Sequence, residues 1–442
     1  MSSGKSLLLT SLFLSQFATA TTILDEYHLD KESNSAINLF HNSLPESNEL
    51  TTRSNHSNIW NISITRSETV CTEWVPEGGS PRINSRGGWC ASWEEIEYTT
   101  KYGTANIYRS GDNILDKPVV VVQPYKFSLS DTNYSASDYY SDVNNGGLLS
   151  SLRTAGYDVI LYRYDKQDSG VTYNAKGLRR LLEMLKDVNT VTSTSVVGLS
   201  MGGVVSRYAL AKLENTNELN DYKISTFISF DAPYRGINFP KTILDTTHSL
   251  LDKVDTTLCG LSADCRQARR ELKSIISKMN TLTFKELVFT IGSSRHDYLK
   301  SQLNSVGHVD SIPTLALANG SRNLTQGYPT QKQTTYFKLY RAWYNGGSKY
   351  FRINTKPSLD NVNGGYADFY QTFSNMIMDQ PHPITPYVFT GQRHAFVPSS
   401  SAIDGNENNF SEVLFADSNE AHMTLSYPKR YKIRQWLDTY QH

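Results

Sequence analysis

Hydrophobic positions along the chain fall into three regimes. Residues 21 to about 66 are polar, rich in Ser, Asn and Glu, and show no sustained period, which predicts a loosely structured leader. Residues 67 to about 97 carry Trp74, Trp89, Trp93 and a pair of cysteines, and predict an N-terminal elaboration. From about residue 98 to the end at 442, short apolar runs alternate with helical stripes. That rhythm predicts an α/β domain built on a mostly parallel sheet flanked by helices. Pro118-Val119-Val120-Val121-Val122 is a continuous apolar run, as expected of a central strand covered on both faces. Tyr157 to Tyr162, Thr194 to Val197 and Ile224 to Phe230 read as further strands. Leu178, Leu181, Leu182 and Leu185 recur at helical spacing between the first two of these.

The stretch from Ile237 to about Asn304 departs from this rhythm. Ile243, Leu244, Thr247, Leu251 and Val254 form one helical stripe, and Ala268, Leu272, Ile275, Ile276 and Met279 a second. Two readings fit: a helical cap over the sheet's carboxyl edge, where ligands bind in open α/β sheets, or helices packed on the sheet's flank. Ile312 to Ala318 is the next strand, followed by a Tyr/Gly-rich insertion over about 326 to 410. Val413 to Ala416 is a short final strand, and the last helix places Ile433, Trp436, Leu437 and Tyr440 on one face. There is no internal repeat.

Within this framework one block carries chemistry. Val196-Val197-Gly198-Leu199-Ser200-Met201-Gly202-Gly203 sets Gly-x-Ser-x-Gly directly after an apolar strand and directly before a helix. A nucleophilic serine needs a sharp turn that projects its hydroxyl, with small neighbours to make room. The helix starting at Met201 then aims its positive end at a developing oxyanion. A serine hydroxyl also needs a base. His422 lies between the final strand and the final helix, the position this topology requires; His394 in the insertion is the competitor. The acid is open among Asp231, at the end of the strand Ile224 to Phe230, and Asp404 and Asp417. The oxyanion hole is expected from the backbone N–H groups of Met201 and of Tyr125, because Pro124 has none.

Composition narrows the setting. Lys plus Arg number 43 and Asp plus Glu number 43, so the formal charge cancels and no polyanion-binding surface is expected. No basic run, phosphate-cradling loop or metal-ligand pattern is present; no cofactor or metal is expected, and nucleic acid is excluded as a partner. Lys5, the apolar run Leu7 to Leu14 and Ala18-Thr19-Ala20 read as an export signal over residues 1–20, which implies a secreted or periplasmic protein. The four cysteines are accordingly read as local disulfides, Cys71 with Cys90 and Cys259 with Cys265, their spacing fitting no zinc pattern.

The block from Pro118 to Gly236 resembles the secreted lipase and esterase branch of the α/β-hydrolase superfamily, and most of all the lipase-like proteins grouped with GPI-inositol deacylases. Three motifs carry the likeness: Gly198 to Gly203 followed by Arg207-Tyr208-Ala209-Leu210; Phe230-Asp231-Ala232-Pro233-Tyr234-Arg235-Gly236; and Val397-Pro398 followed by Ser401-Ala402. Two departures stand out. Tyr234 replaces the family's usual histidine, and His394 stands where its acid loop places aspartate, which makes Asp231 more attractive as the acid. The resemblance implies the α/β-hydrolase fold and cleavage of carboxylic esters, small-molecule or lipid, with transient contact at a lipid surface left open. It fixes neither substrate nor oligomeric state. Two other functions fit the sequence: acyl transfer to an alcohol by the same serine, and a non-catalytic surface or glycan-binding protein on a hydrolase scaffold.

Overall fold

The computed structural model describes residues 59–76, 88–127, 134–254, 263–327, 333–339, 349–370, 384–388 and 393–441. The expected export signal, most of the leader, and the side chains of Cys71, Cys90 and Cys259 lie outside the described residues. In chain order the strands are β1 (Ile59–Pro76), β2 (Gly88–Tyr108), β3 (Pro118–Val122), β4 (Asp158–Tyr164), β5 (Thr194–Leu199), β6 (Ile224–Phe230) and β7 (Thr314–Ser321). They continue with β8 (Gln333–Leu339), β9 (Lys349–Asn354), β10 (Gly364–Ala367), β11 (Ile384–Val388), β12 (His394–Pro398) and β13 (Glu412–Ala416).

Eight of these form one sheet in the order β1-β2-β4-β3-β5-β6-β7-β13. The pairs β1/β2 and β2/β4 are antiparallel; every pairing from β4 to β13 is parallel. The all-apolar β3 is covered on both faces because its alternate side chains enter two different cores. Val120 and Val122 pack with the helices Val171–Lys186 and Met201–Asn215. Val119 and Val121 pack on the other face with the helix Leu148–Thr154 and the last helix, Tyr427–Tyr440. The stripe Leu178, Leu181, Leu182 and Leu185 is fully buried, as its period requires.

Ile433, Trp436 and Leu437 of the last helix are buried, and the Trp436 indole N–H donates to Thr226 Oγ1 at 2.7 Å. Tyr440, expected on the same face, is instead 36% exposed. It stands one turn beyond Trp436 and covers that ring from the solvent side, with centroids 4.6 Å apart. Segment 237–304 contains, among the described residues, the helices Lys241–Val254, Ala263–Met279, Leu282–Leu287 and Ser294–Val306. Its first stripe is rotated slightly from the expected one: Ile243, Thr247 and Leu250 are buried, whereas Leu244 and Leu251 are half-buried. The Tyr/Gly-rich segment carries the antiparallel pair β10/β12, which packs at the carboxyl end of β7.

Because Leu437 is fully buried against the sheet, Leu437→Ala should lower the unfolding free energy by about 2–5 kcal/mol. Urea denaturation should show a lower midpoint with an unchanged slope.

Candidate active site

The turn between β5 and its helix is built by contact distances that exclude side chains. A Cβ on Gly198 would lie 2.4 Å from the Gly203 Cα, and one on Gly202 would lie 2.3 Å from the Val122 carbonyl oxygen. Only glycine lets the helix start this close to β3 and β5. The turn is thereby tight enough to force Ser200 to φ 51° and ψ −119°, a conformation that costs a non-glycine residue about 1–3 kcal/mol. The Ser200 N–H donates to the Phe230 carbonyl at 2.8 Å, which pins the turn to β6. Met201 is the first helical residue, so its N–H has no intrahelical acceptor and points out of the helix N-terminus.

Ser200 meets His422 and Asp231. His422 Nε2 lies 2.8 Å from Ser200 Oγ, and its Nδ1 lies 2.7 Å from Asp231 Oδ2. Asp231 is fully buried at the carboxyl end of β6, and its other oxygen accepts the Asn319 N–H at 2.9 Å. A buried carboxylate requires such donors. With both oxygens held, Nδ1 is the donor to Asp231 and Nε2 is free to accept from the serine hydroxyl.

His422 owes its position to three separated segments. The backbone of Tyr366 in β10 accepts the His422 N–H at 2.8 Å and donates to the Glu420 carbonyl at 2.9 Å. Asn319, at the end of β7, accepts the Glu420 N–H through its backbone carbonyl at 2.8 Å, and its side chain donates to the Ala421 carbonyl at 2.7 Å. Lys429, buried on the last helix, donates to both the Asn319 side-chain oxygen and Glu420. The edge of Phe396 in β12 meets the His422 ring at 4.8 Å and 72°. Gly365 leaves room for the acid, since a Cβ there would stand 2.4 Å from Asp231 Oδ2.

Beside Ser200 opens a small pocket that is continuous with solvent. Tyr125 and Phe127 wall it from the loop after β3, and Ile237, Phe284 and Leu287 from segment 237–304. Phe369 and Phe396 close it from the Tyr/Gly-rich segment. Apart from Ser200 and His422 the lining is apolar or aromatic. Among the described residues no group of His, Cys, Asp and Glu is arranged to hold a metal ion, and no helix is long and apolar enough to cross a membrane.

Residues 164–283, which include the serine turn and Asp231, match the family described as "Putative serine esterase (DUF676)". The order of the strands and the helices on both faces of the sheet are those of the α/β-hydrolase fold. No curated protein matches the chain. Among solved structures it is similar to an esterase from Exiguobacterium antarcticum, at 12% identity over 76% of this chain and 95% of that one, with a TM-score of 0.31. It is also similar to a membrane phospholipase A described as a bacterial virulence factor, at 10% identity over 76% and 83% of the two chains, with a TM-score of 0.32. For Est1E from Butyrivibrio proteoclasticus the values are 14% identity, 29% of this chain, and a TM-score of 0.22; the chain spans about half of that protein, 47%.

The structure gives the competing base and acid candidates other partners than Ser200. His394 opens β12 and is fully buried among Phe369, Tyr370 and Phe396; burial pushes its imidazole down to about 3, so it is a neutral core histidine at physiological pH. Asp417 is exposed. Asp404 lies in an ion cluster with Arg207 at 2.6 Å, Arg235 at 3.1 Å and His308 at 3.2 Å. Burial alone would raise its carboxyl, but the His308 contact and the two guanidinium groups outweigh burial and hold it at about 2. Tyr234 is buried beneath Arg207 and donates its hydroxyl to Ser229 Oγ at 2.7 Å, tying β6 to the loop that follows it. The residues that sequence reasoning missed are Asn319, Gly365, Tyr366, Phe396 and Lys429. Asn319 alone had a local signal, an amide at the end of a strand where a carboxylate was sought.

Asp404 gives a test that separates stability from catalysis. Its carboxyl is depressed, so its stabilisation is present above the ordinary carboxylate range and is lost as pH falls toward about 2. Asp404→Asn should cost on the order of 1–2 kcal/mol at neutral pH after solvent screening, and this deficit should vanish between about pH 4 and pH 2. Catalytic turnover by the folded variant should stay within about threefold of wild type, because the Asp404 ion pairs run to Arg207, Arg235 and His308.

Proposed function

We propose that this hydrolase is an exported enzyme that cleaves carboxylic esters through an acyl-serine intermediate, with Ser200 as nucleophile, His422 as general base and Asp231 as its partner. The observation that carries this reading is the unbroken chain of contacts from Ser200 Oγ to His422 Nε2 and from His422 Nδ1 to Asp231. In the proposed first step Ser200 Oγ attacks the ester carbonyl and its proton passes to His422 Nε2. The Asp231 carboxylate stabilises the imidazolium, and the N–H groups of Met201 and Tyr125 receive the oxyanion. Collapse of the tetrahedral intermediate breaks the bond to the alkoxide, which takes the proton from His422. Water then repeats the sequence on the acyl-serine and releases the acid.

The apolar pocket supports an acyl group as the part of the substrate held beside Ser200. Its walls also suit an alcohol acceptor, so acyl transfer is the second reading; product analysis with added short-chain alcohol separates the two. A binding protein on an inactive scaffold needs no Ser–His–Asp chain, which weighs against that reading. The narrower likeness to proteins grouped with GPI-inositol deacylases rests on the sequence motifs.

With p-nitrophenyl esters from acetate to palmitate as substrates, Ser200→Ala and His422→Ala should each lower kcat/KM by about 10⁴-fold or more, and the double variant should be little worse than either. Asp231→Asn should fall by orders of magnitude as well. A Ser200→Ala protein with more than a few per cent of wild-type rate, free of contaminating esterase, would falsify the assignment.

Export and disulfide formation belong to the same proposal. No cysteine is free among the described residues, and Cys265 is buried. Secreted protein should begin near Thr21, and peptide mapping without reduction should recover Cys71–Cys90 and Cys259–Cys265 links. Free thiols at all four positions would refute the pairing.

A further inference from the structure

We infer that the turn Gln167-Asp168 is a positioning device. It holds the oxyanion loop rigid from two sides and ties it to the helical segment that walls the pocket. The inference rests on the reading of Ser200 as nucleophile and of Tyr125 as an oxyanion donor, and deepens it.

The loop Gln123–Phe127 leaves the sheet at β3, after the Gln123 N–H has donated to the Tyr162 carbonyl at 3.1 Å. Beyond that point no strand pairing among the described residues includes it, yet Tyr125 lines the same pocket as Ser200. Side chains of the turn after β4 replace the ladder. Gln167 is 1% exposed, and its amide reads the Lys126 backbone as a neighbouring strand would: Oε1 accepts the Lys126 N–H at 2.9 Å and Nε2 donates to the Lys126 carbonyl at 2.8 Å. Gln123 extends this contact to β4, its Oε1 accepting the Tyr164 N–H at 3.0 Å.

Asp168 holds the same loop by a side chain. Its Oδ1 accepts the Tyr125 hydroxyl at 2.7 Å, and its Oδ2 pairs with the Lys278 ammonium at 2.7 Å. Lys278 is itself buried, and its charge lies 5.1 Å from the centre of the Tyr125 ring. Burial first, and then the Asp168 charge, push the Tyr125 phenol well above its ordinary value, so the hydroxyl stays a donor. On the far side the turn is bound to the helical segment: Thr283 donates to the Gln167 carbonyl at 2.6 Å and accepts the Gly170 N–H at 2.8 Å. Main chain and side chain of one loop are thus gripped by two adjacent residues, which are gripped in turn by Lys278 and Thr283.

An oxyanion donor acts only if it is aimed before charge develops, and a lost donor costs about 10²–10³ in rate. Loosening the loop leaves the N–H in place but less well aimed. Asp168→Asn and Tyr125→Phe should therefore each lower kcat by about 10–100-fold with KM within about threefold, because every ring and aliphatic group that walls the pocket is retained, the ring at position 125 included. Both act on the same contact, one by removing the charge of its acceptor and the other by removing its donor, so the double variant should lose little more than either single one. Gln167→Leu should act in the same direction through the other grip. The readout that a merely structural role would not move is affinity for a trifluoromethyl ketone, which forms a reversible tetrahedral adduct on the serine. Its inhibition constant should weaken in step with kcat/KM, whereas the melting temperature of Tyr125→Phe should move by only a few degrees. Tyr125→Phe keeps the Asp168–Lys278 pair and serves as the test if Asp168→Asn fails to fold.

Full kcat and unchanged ketone affinity in folded Tyr125→Phe overturn the device. A wild-type protein that neither hydrolyses esters nor is labelled at Ser200 by a fluorophosphonate overturns the functional reading itself, so the two failures are distinguishable.

Discussion

A carboxylate without solvent exposure has to find its hydrogen-bond donors inside the protein, and the surroundings of Asp231 follow from that requirement. One oxygen takes the Asn319 N–H and the other takes His422 Nδ1. Satisfying the acid therefore orients the imidazole, fixes its tautomer and leaves Nε2 facing Ser200. Asp231, directly after the end of β6, also has φ 44°, a conformation rare for a residue with a side chain. The serine turn reaches the same edge at the end of the parallel neighbour β5, held there by glycine contacts with β3 and with its own helix. Two strained residues on neighbouring strands thus converge on one imidazole.

Holding the imidazole engages segments far apart in sequence. The last helix contributes Lys429, the end of β7 contributes Asn319, and the Tyr/Gly-rich segment contributes the backbone of Tyr366 and the ring of Phe396. A buried lysine is tolerated because it has both Glu420 and the Asn319 side-chain oxygen as partners. The acyl side of the site is made in a similar way. Its aromatic walls come from the loop after β3, from the helical segment and from the Tyr/Gly-rich segment, and only the sheet edge brings them together.

Much of the sheet was legible because it rests on local signals. An all-apolar run such as Val119 to Val122 has one stable home, between two layers, and its period alone assigns alternate residues to opposite cores. The leucine stripe from Leu178 to Leu185 is legible for a similar reason. Tyr440 shows the limit of such reasoning. Periodicity says which residues share a face, but not where that face runs off the sheet.

By itself, then, the sequence determined the elements of the sheet, its helical faces and the sharp turn at Ser200, since each depends on side-chain period or on the volume of adjacent residues. It left three aspartates and two histidines open. The tertiary structure brings Asp231 to His422 across 191 residues, and gives Asp404 to an arginine cluster and His394 to an aromatic core. Nor did any local pattern mark Gly365, Tyr366 or Lys429, whose contributions are a space, a backbone group and a buried charge offered to distant partners. Such contacts arise only when packing carries remote segments to one edge of the sheet, and hydrophobic periodicity has no term for which polar group will meet which.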